Sequence, residues 1–294
     1  MTAVIGLNNG IPIPALGLGV LQSEGRDATR AVSSALCNGV RLIDTAAAYF
    51  NEREVGEGIR DSGIDRGDVF LTTKLWMTDY GYDSALRAFD TSTAKLGVDY
   101  LDLYLLHWPW PGNWSETVAS YKAAERLLGE GRVRAIGVSN FKPLHLRNLL
   151  EVSDRVPAVN QIELHPNFQQ PELVSLHREL GILTQAWSPI GGVYGWAGEN
   201  RTLPPMQNEV IGKIAHDHRK SPAQVILRWH LQEGRSAIPK SINPERIAEN
   251  IDVLDFELTA DELSTIAAID TGRRGALDPD DASPETIGLT IDAA

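Results

Sequence analysis

Cysteine is almost missing from this chain of 294 residues: Cys37 stands alone. That excludes an internal disulfide and fits a reducing compartment, so a cytoplasmic location is expected. The opening MTAVIGLNNG has neither the basic start nor the long apolar core of a secretory signal. No apolar run approaches the roughly 20 residues that a membrane span needs, so no membrane partner is expected. Positive charge is scarce as well, 27 Lys and Arg against 39 Asp and Glu, for a net charge of −12. Such a surface repels nucleic acid and anionic lipid, and an anionic ligand has to be held by a local cluster of cations. A proline- or glycine-rich linker is absent too, and composition does not shift between the two halves. Residues 1–294 are therefore expected to form a single domain, with an acidic tail from about 270 to 294 that carries no helical stripe.

What the chain does have is alternation. IGLNNGIPIPALGLG predicts a hairpin turned by Asn8, Asn9 and Gly10, then a short strand ending near Gly17 to Gly19. Further strands are expected at 41–46, 69–74, 101–107, 133–140, 158–165, 182–188 and 236–241, with helical periodicity between them. Ala28, Ala31, Val32, Ala35 and Leu36 form an apolar stripe that stops at Asn38 and Gly39. Ser221, Pro222 and Gln224 read as a capping box with proline at the first helical position, and Thr259 with Glu262 reads as another. Unbroken strand–helix units predict an α/β fold, a single (β/α)8 TIM barrel with an N-terminal β-hairpin and long loops at its C-terminal face. An open doubly wound sheet is the competing arrangement, but Gly17 and Gly19 lack the third glycine of the dinucleotide fingerprint. Loops 108–114 and 189–204 are long and aromatic, as segments that set specificity often are.

In a barrel the polar residues at the C-terminal strand tips converge on one pocket. Here those tips carry Asp44 with Tyr49 just beyond it, Lys74, His107, Ser139 and Asn140, Gln161 and Glu163, Trp187 and Ser188, and Lys240 with Ser241. Each alone has an ordinary explanation: a strand-end Lys or Asp is usually an ion pair, and a His beside aromatics is often a packing residue. Together, four of them make a proton-transfer set. A phenol is a poor acid at neutral pH unless a nearby ammonium lowers its pKa, and a buried ammonium needs a carboxylate. Tyr49 is then the general acid, Lys74 tunes it, Asp44 holds Lys74, and His107 hydrogen-bonds and orients a substrate oxygen. Trp76, Trp108, Trp110, Trp114, Tyr194 and Trp196 are candidate walls of a substrate pocket. His216 and His218, two apart on a helix, do not face one site and read as surface residues rather than metal ligands.

The series LIDTAAAY (42–49), TTKLW (72–76), LLHWP (105–109), GVSNF (137–141), NQIELHP (160–166), AWSP (186–189) and IPKSINPERIAEN (238–250) resembles the aldo-keto reductase family. It does so in the family's order and spacing from about residue 10 to 270, and the short AWSP form and compact tail are similar to the bacterial 2,5-diketo-D-gluconate reductase branch. The resemblance implies an oxidoreductase that reduces aldehydes and ketones to alcohols with NADPH, yielding NADP+, on a barrel rather than a Rossmann fold. It points to small dicarbonyls or keto-sugars as substrates and to a monomer. Carried over by motif, Asp44, Tyr49, Lys74 and His107 are the catalytic tetrad with Tyr49 as proton donor. Ser139, Asn140 and Gln161 would hold the nicotinamide carboxamide, and Trp187 would stack on the ring. Gly19, Val20, Asp44, Ser188, Pro189 and Ile190 would be further cofactor contacts. Lys240, Ser241, Ile242, Arg246, Glu249 and Asn250 would take the outer end. There, two cations and a hydroxyl in one turn suit the extra phosphate of NADPH, while Glu249 or Asn250 could clamp Arg246 or contact the adenine. Tyr49, Trp76, His107 and Trp108 would meet the substrate. Val20 stands where many members have Thr, and Trp187 where Tyr is common, which keeps a stacking face but changes its shape. Two other readings stay open, a redox-sensing regulatory subunit built on the same barrel and a Schiff-base aldolase using Lys74.

Overall fold

The turn at Asn8, Asn9 and Gly10 forms as its residues predict, with Gly10 at a φ of 84°. It joins β1 (Val4–Gly6) to β2 (Pro12–Pro14) as an antiparallel pair with Ile5 opposite Ile13. The Asn8 and Asn9 amides donate to the carbonyls of Pro157 and Arg134, so the hairpin lies across the N-terminal end of the strands that follow. The computed structural model describes residues 3–192 and 204–291. Tyr194 and Trp196, two of the expected pocket walls, lie outside the described residues.

Eight parallel strands then form one sheet: β3 (Leu18–Gly19), β4 (Leu42–Asp44), β5 (Phe70–Leu75), β6 (Leu101–Leu106), β7 (Val133–Ser139), β8 (Val159–Glu163), β9 (Leu183–Trp187) and β10 (Ser236–Ile238). Each pairs with the next, and parallel bridges from Leu16 to Ala237 and from Gly19 to Lys240 close the sheet into the expected barrel. The Gly17–Gly19 pair belongs to this seam. A Cβ at Gly17 would lie 2.5 Å from Leu42 Cγ, and one at Gly19 would lie 2.9 Å from the Ile238 carbonyl oxygen. Gly19 lets the first and last strands meet and Gly17 lets the first strand lie close against Leu42 of β4, so neither needs a dinucleotide to explain it.

Alternation sorts the strand residues into two layers. Leu103 and Leu105 join Leu42, Phe70, Val159 and Ile238 inside the barrel, with Leu7 and Ile13 of the hairpin plugging it from below. Tyr104 and Leu106 face out into the layer shared with the helices. There the helix Gly25–Cys37 buries the same five residues its stripe predicts, Ala28, Ala31, Val32, Ala35 and Leu36. Each fully buried leucine contributes roughly 1.5–3 kcal/mol relative to exposure. Both capping boxes form, Ser221 with Gln224 and Thr259 with Glu262. Among the described residues no helix is long and apolar enough to cross a membrane. His216 is exposed, and His218 Nε2 lies 2.9 Å from Glu262.

Most strands end sooner than the sequence suggests. His107 follows β6, although its N–H still donates to the Leu75 carbonyl. Asn140 and Ser188 turn out of β7 and β9 with φ values of 65° and 47°. The left-handed backbone ends the ladder and swings these polar residues over the barrel mouth. The tail is also more ordered than its lack of a stripe suggests. It contains a 3-10 turn at Pro279–Asp281 and a short helix at Pro284–Ile287, whose Thr286 N–H is capped by the Ser283 hydroxyl.

Candidate active site

Over the C-terminal ends of the strands lies a cleft of about 810 Å³. Asp44 closes β4 and Lys74 sits in β5, both buried, and the Lys74 ammonium uses its three donors within the site. It lies 2.5 Å from Asp44 Oδ1, 2.8 Å from the Thr45 carbonyl oxygen and 3.3 Å from the Tyr49 hydroxyl. Tyr49 is carried on a 3-10 turn, Ala47–Tyr49, that ends on Phe50 in the left-handed region. His107 meets Tyr49 edge-on at 5.6 Å between ring centroids and Trp76 edge-on at 5.2 Å. Asp44, Tyr49 and His107 thus line one cleft, and Lys74 is buried behind its wall, bonded to two of them.

Burial dominates the electrostatics. It pushes the Asp44 carboxyl above its usual value, against the opposing pull of Lys74 and of hydrogen bonds from Lys74 and Gln161. Burial drags Lys74 down, but the charge of Asp44 and the hydrogen bonds to Asp44 and Tyr49 outweigh it and leave the ammonium above its ordinary value. His107 is held well below 6.5, by burial first and by Lys74 second, so its ring is neutral at neutral pH. Tyr49 departs from expectation. Burial raises its pKa more than Lys74 lowers it, so the phenol is a weaker acid than the free side chain.

The residues expected around a carboxamide are tied to one another. The Ser139 hydroxyl donates to the Gln161 carbonyl at 2.8 Å, and Asn140 Nδ2 donates to the His107 carbonyl at 2.9 Å. The Trp187 indole N–H donates to Asn140 Oδ1 at 2.9 Å, which fixes the plane of the ring. Gln161 Nε2 donates to Asp44 Oδ2 at 2.7 Å, leaving its oxygen for the cleft it lines. Gly19, Val20, Ser188, Pro189, Ile190, Trp76, Trp108 and Lys240 line the cleft as well. Ser241, Ile242, Arg246, Glu249 and Asn250 do not. They lie just past β10, where the Asn243 side chain caps the helix Pro244–Ile251. The Ser241 hydroxyl accepts the Asn243 N–H at 3.1 Å, and Lys240 and Arg246 are exposed. Among the described residues the expected clamp of Glu249 on Arg246 does not form, so the cation is left to solvent.

Trp110 and Trp114 are not cleft walls. Trp114 opens the helix Trp114–Gly129 and packs on Phe141 and His145, and the Trp110 N–H donates to Thr117. Their place in the wall falls to tail residues that the sequence reading missed, Ala276, Leu277 and Thr286 to Leu289. Glu163 at the end of β8 anchors that tail by accepting the N–H groups of Gly275 and Ala276 at 2.7 and 3.0 Å. Trp76 fixes its far end through an indole N–H to Leu289 O bond of 2.8 Å. Asn51 also went unnoticed. Its amide accepts from Thr45 Oγ1 and donates to the carbonyls of Val20 and Ser23, which braces the turn that presents Tyr49.

Residues 15–271 match the model of the Aldo/keto reductase family. The chain is 55% identical over 287 residues to morphine 6-dehydrogenase of Pseudomonas putida, covering 97% of each protein. It is 45% identical to glyoxal reductase of Bacillus subtilis, covering 94% of this chain and 95% of that one. A mutant of Gox0644 solved in complex with NADPH superposes with a TM-score of 0.87 at 44% identity, covering 96% of this chain and 99% of that one.

Proposed function

The chain belongs to the aldo/keto reductase family, and we infer that it is an NADPH-dependent oxidoreductase that reduces aldehydes and ketones to alcohols. The observation that carries the assignment of roles is the buried Lys74 ammonium bound between Asp44 and Tyr49, which line the same cleft as His107. The residues present fit a nicotinamide cofactor. Gln161 offers an oxygen to an amide N–H, Trp187 offers a fixed aromatic face, and Lys240 and Arg246 beyond β10 offer exposed cations without an ion-pair partner among the described residues. When bound, the reduced nicotinamide supplies the hydride.

Tyr49 is then the proton donor. Its raised pKa keeps the phenol protonated until the carbonyl oxygen gains charge, and the ammonium 3.3 Å away stabilises the phenolate left behind. The neutral His107 imidazole holds the substrate oxygen in line rather than protonating it. Asp44 keeps Lys74 charged and in place.

Small dicarbonyls and ketones with an apolar body suit the cleft better than keto-sugars. Trp76, Trp108, Leu277, Ile287 and Leu289 offer little to several hydroxyls, and the Trp76 N–H is already taken by Leu289. The names of the two relatives, glyoxal reductase and morphine 6-dehydrogenase, support that preference. Loss of NADPH absorbance by the purified protein with methylglyoxal, a diketone and a keto-sugar tests the reading. Tight NADPH binding without turnover across the panel would overturn it in favour of a regulatory subunit. Trapping of substrate on Lys74 by borohydride would favour an aldolase.

A further inference from the structure

Positions facing the inside of a small barrel are ordinarily filled by branched apolar side chains. Three adjacent strands break that habit at one level. Gln161 of β8, Gln185 of β9 and Ser236 of β10 are register partners, and all three are buried. Their side chains form one directed series. Gln185 Nε2 donates to Ser236 Oγ at 3.0 Å, Gln161 Nε2 donates to Gln185 Oε1 at 2.8 Å, and the same Gln161 nitrogen donates to Asp44 Oδ2 at 2.7 Å. Gln161 lines the cleft, whereas Gln185 and Ser236 do not.

We propose that Gln185 is a positioning residue for the nicotinamide end of the cofactor, acting through Gln161. A primary amide has two N–H donors. Asp44 takes one of those of Gln161 and Gln185 takes the other, so the side chain is held at two points and cannot rotate about its last bond. Its oxygen is thereby fixed as an acceptor toward the cleft. Gln185 can accept from Gln161 only while its own NH2 points the other way, and the Ser236 hydroxyl sets that direction. A buried polar network of this kind holds one arrangement when every member has a partner. With an apolar side chain at 185, Gln161 keeps only its bond to Asp44 and is free to pivot about it.

This rests on the reductase reading above, but its test is a binding measurement that needs no turnover. Gln185→Met keeps length and volume and removes both polar atoms. Quenching of tryptophan fluorescence would be titrated with NADPH and, separately, with 2′-phospho-ADP-ribose, which lacks the nicotinamide. NADPH should bind about tenfold more weakly to the variant, as expected for the loss of hydrogen bonds in a buried site, with the fragment unchanged. Ser236→Ala, which leaves Gln185 in place but unoriented, should give the same selective loss at about threefold. If Gln185→Met does not fold, the Ser236 variant decides. Equal weakening of both ligands would show a merely structural role, and unchanged NADPH affinity would show that Gln161 needs no support. Either result overturns the proposal.

Discussion

Two buried carboxylates sit at opposite ends of the barrel. Asp102, near the start of β6, accepts from Arg66 Nη2 at 2.8 Å, Arg134 Nη1 at 2.7 Å and the Leu71 N–H at 3.0 Å. Both of its oxygens are occupied, and both arginines reach solvent, with side chains 21% and 39% exposed. Asp44, at the end of β4, faces a lysine that is fully buried and whose remaining donor runs on to the Tyr49 hydroxyl in the cleft. Complementary charge occurs at both ends. At the lower end it is consumed within the protein and staples strands together, whereas at the upper end one link is left for a reacting molecule.

The contrast is sharpest at Tyr49, the open end of the upper chain. Tyr49→Phe should cut kcat/KM for carbonyl reduction by roughly 10²–10⁴-fold while NADPH affinity stays level, because only the proton donor is lost. Unchanged turnover would erase the distinction between the two ends. The carboxylates themselves should separate stability from activity. Asp102→Ala should lower unfolding stability by about 2–4 kcal/mol, less than for a fully enclosed pair because the arginines are part-exposed, with kcat nearly intact. Asp44→Asn should do the reverse, losing kcat more than Tm. Thermal melts beside steady-state rates check both, and parallel losses in the two variants would break the comparison.

Exposed cations without an ion-pair partner among the described residues extend the same logic. Lys240→Ala combined with Arg246→Ala should weaken NADPH by roughly 10- to 100-fold and NADH much less, since charge-assisted hydrogen bonds to a phosphate are removed. Equal losses for the two cofactors in fluorescence titrations would show that these residues do not read the phosphate. The smallest effect is in the pH profile. A phenol whose pKa is raised by burial remains protonated through mildly alkaline conditions. Reduction should therefore show no alkaline limb below about pH 9, while alcohol oxidation, which needs the phenolate, climbs with pH. His107, held well below 6.5, should add no limb near neutrality. A reductive rate already falling near pH 8 would mean that Lys74 outweighs burial at Tyr49.

The barrel and its tip residues were legible in the sequence because both are local. Alternation names a strand, and a polar residue following an apolar run names its mouth, as at Leu105, Leu106 and His107. Partners far apart in the chain left no such trace. Glu163 reads as one more carboxylate until Gly275 and Ala276, more than a hundred residues later, fold onto it. Trp110 and Trp114 look like pocket walls until the helix beginning at Trp114 turns Trp114 toward Phe141 and His145 and brings Thr117 to the Trp110 backbone N–H. The shift at Tyr49 was misread in direction for a related reason. Lys74 is visible as a neighbour in the motif, but the depth of burial that overrides it is a property of the assembled barrel.

Cys37 ends the helix Gly25–Cys37 on the outer ring, exposed, with its sulfur 4.0 Å from the Ser62 carbonyl oxygen. For a spectroscopist it is a native handle. A thiol-reactive dye added to the unmutated protein labels one position, on the outside of the barrel wall. Among the described residues, Trp76, Trp108 and Trp187 line the cleft. Intrinsic emission reports on what enters that cleft, and a dye at Cys37 reports on tumbling and association from the same sample.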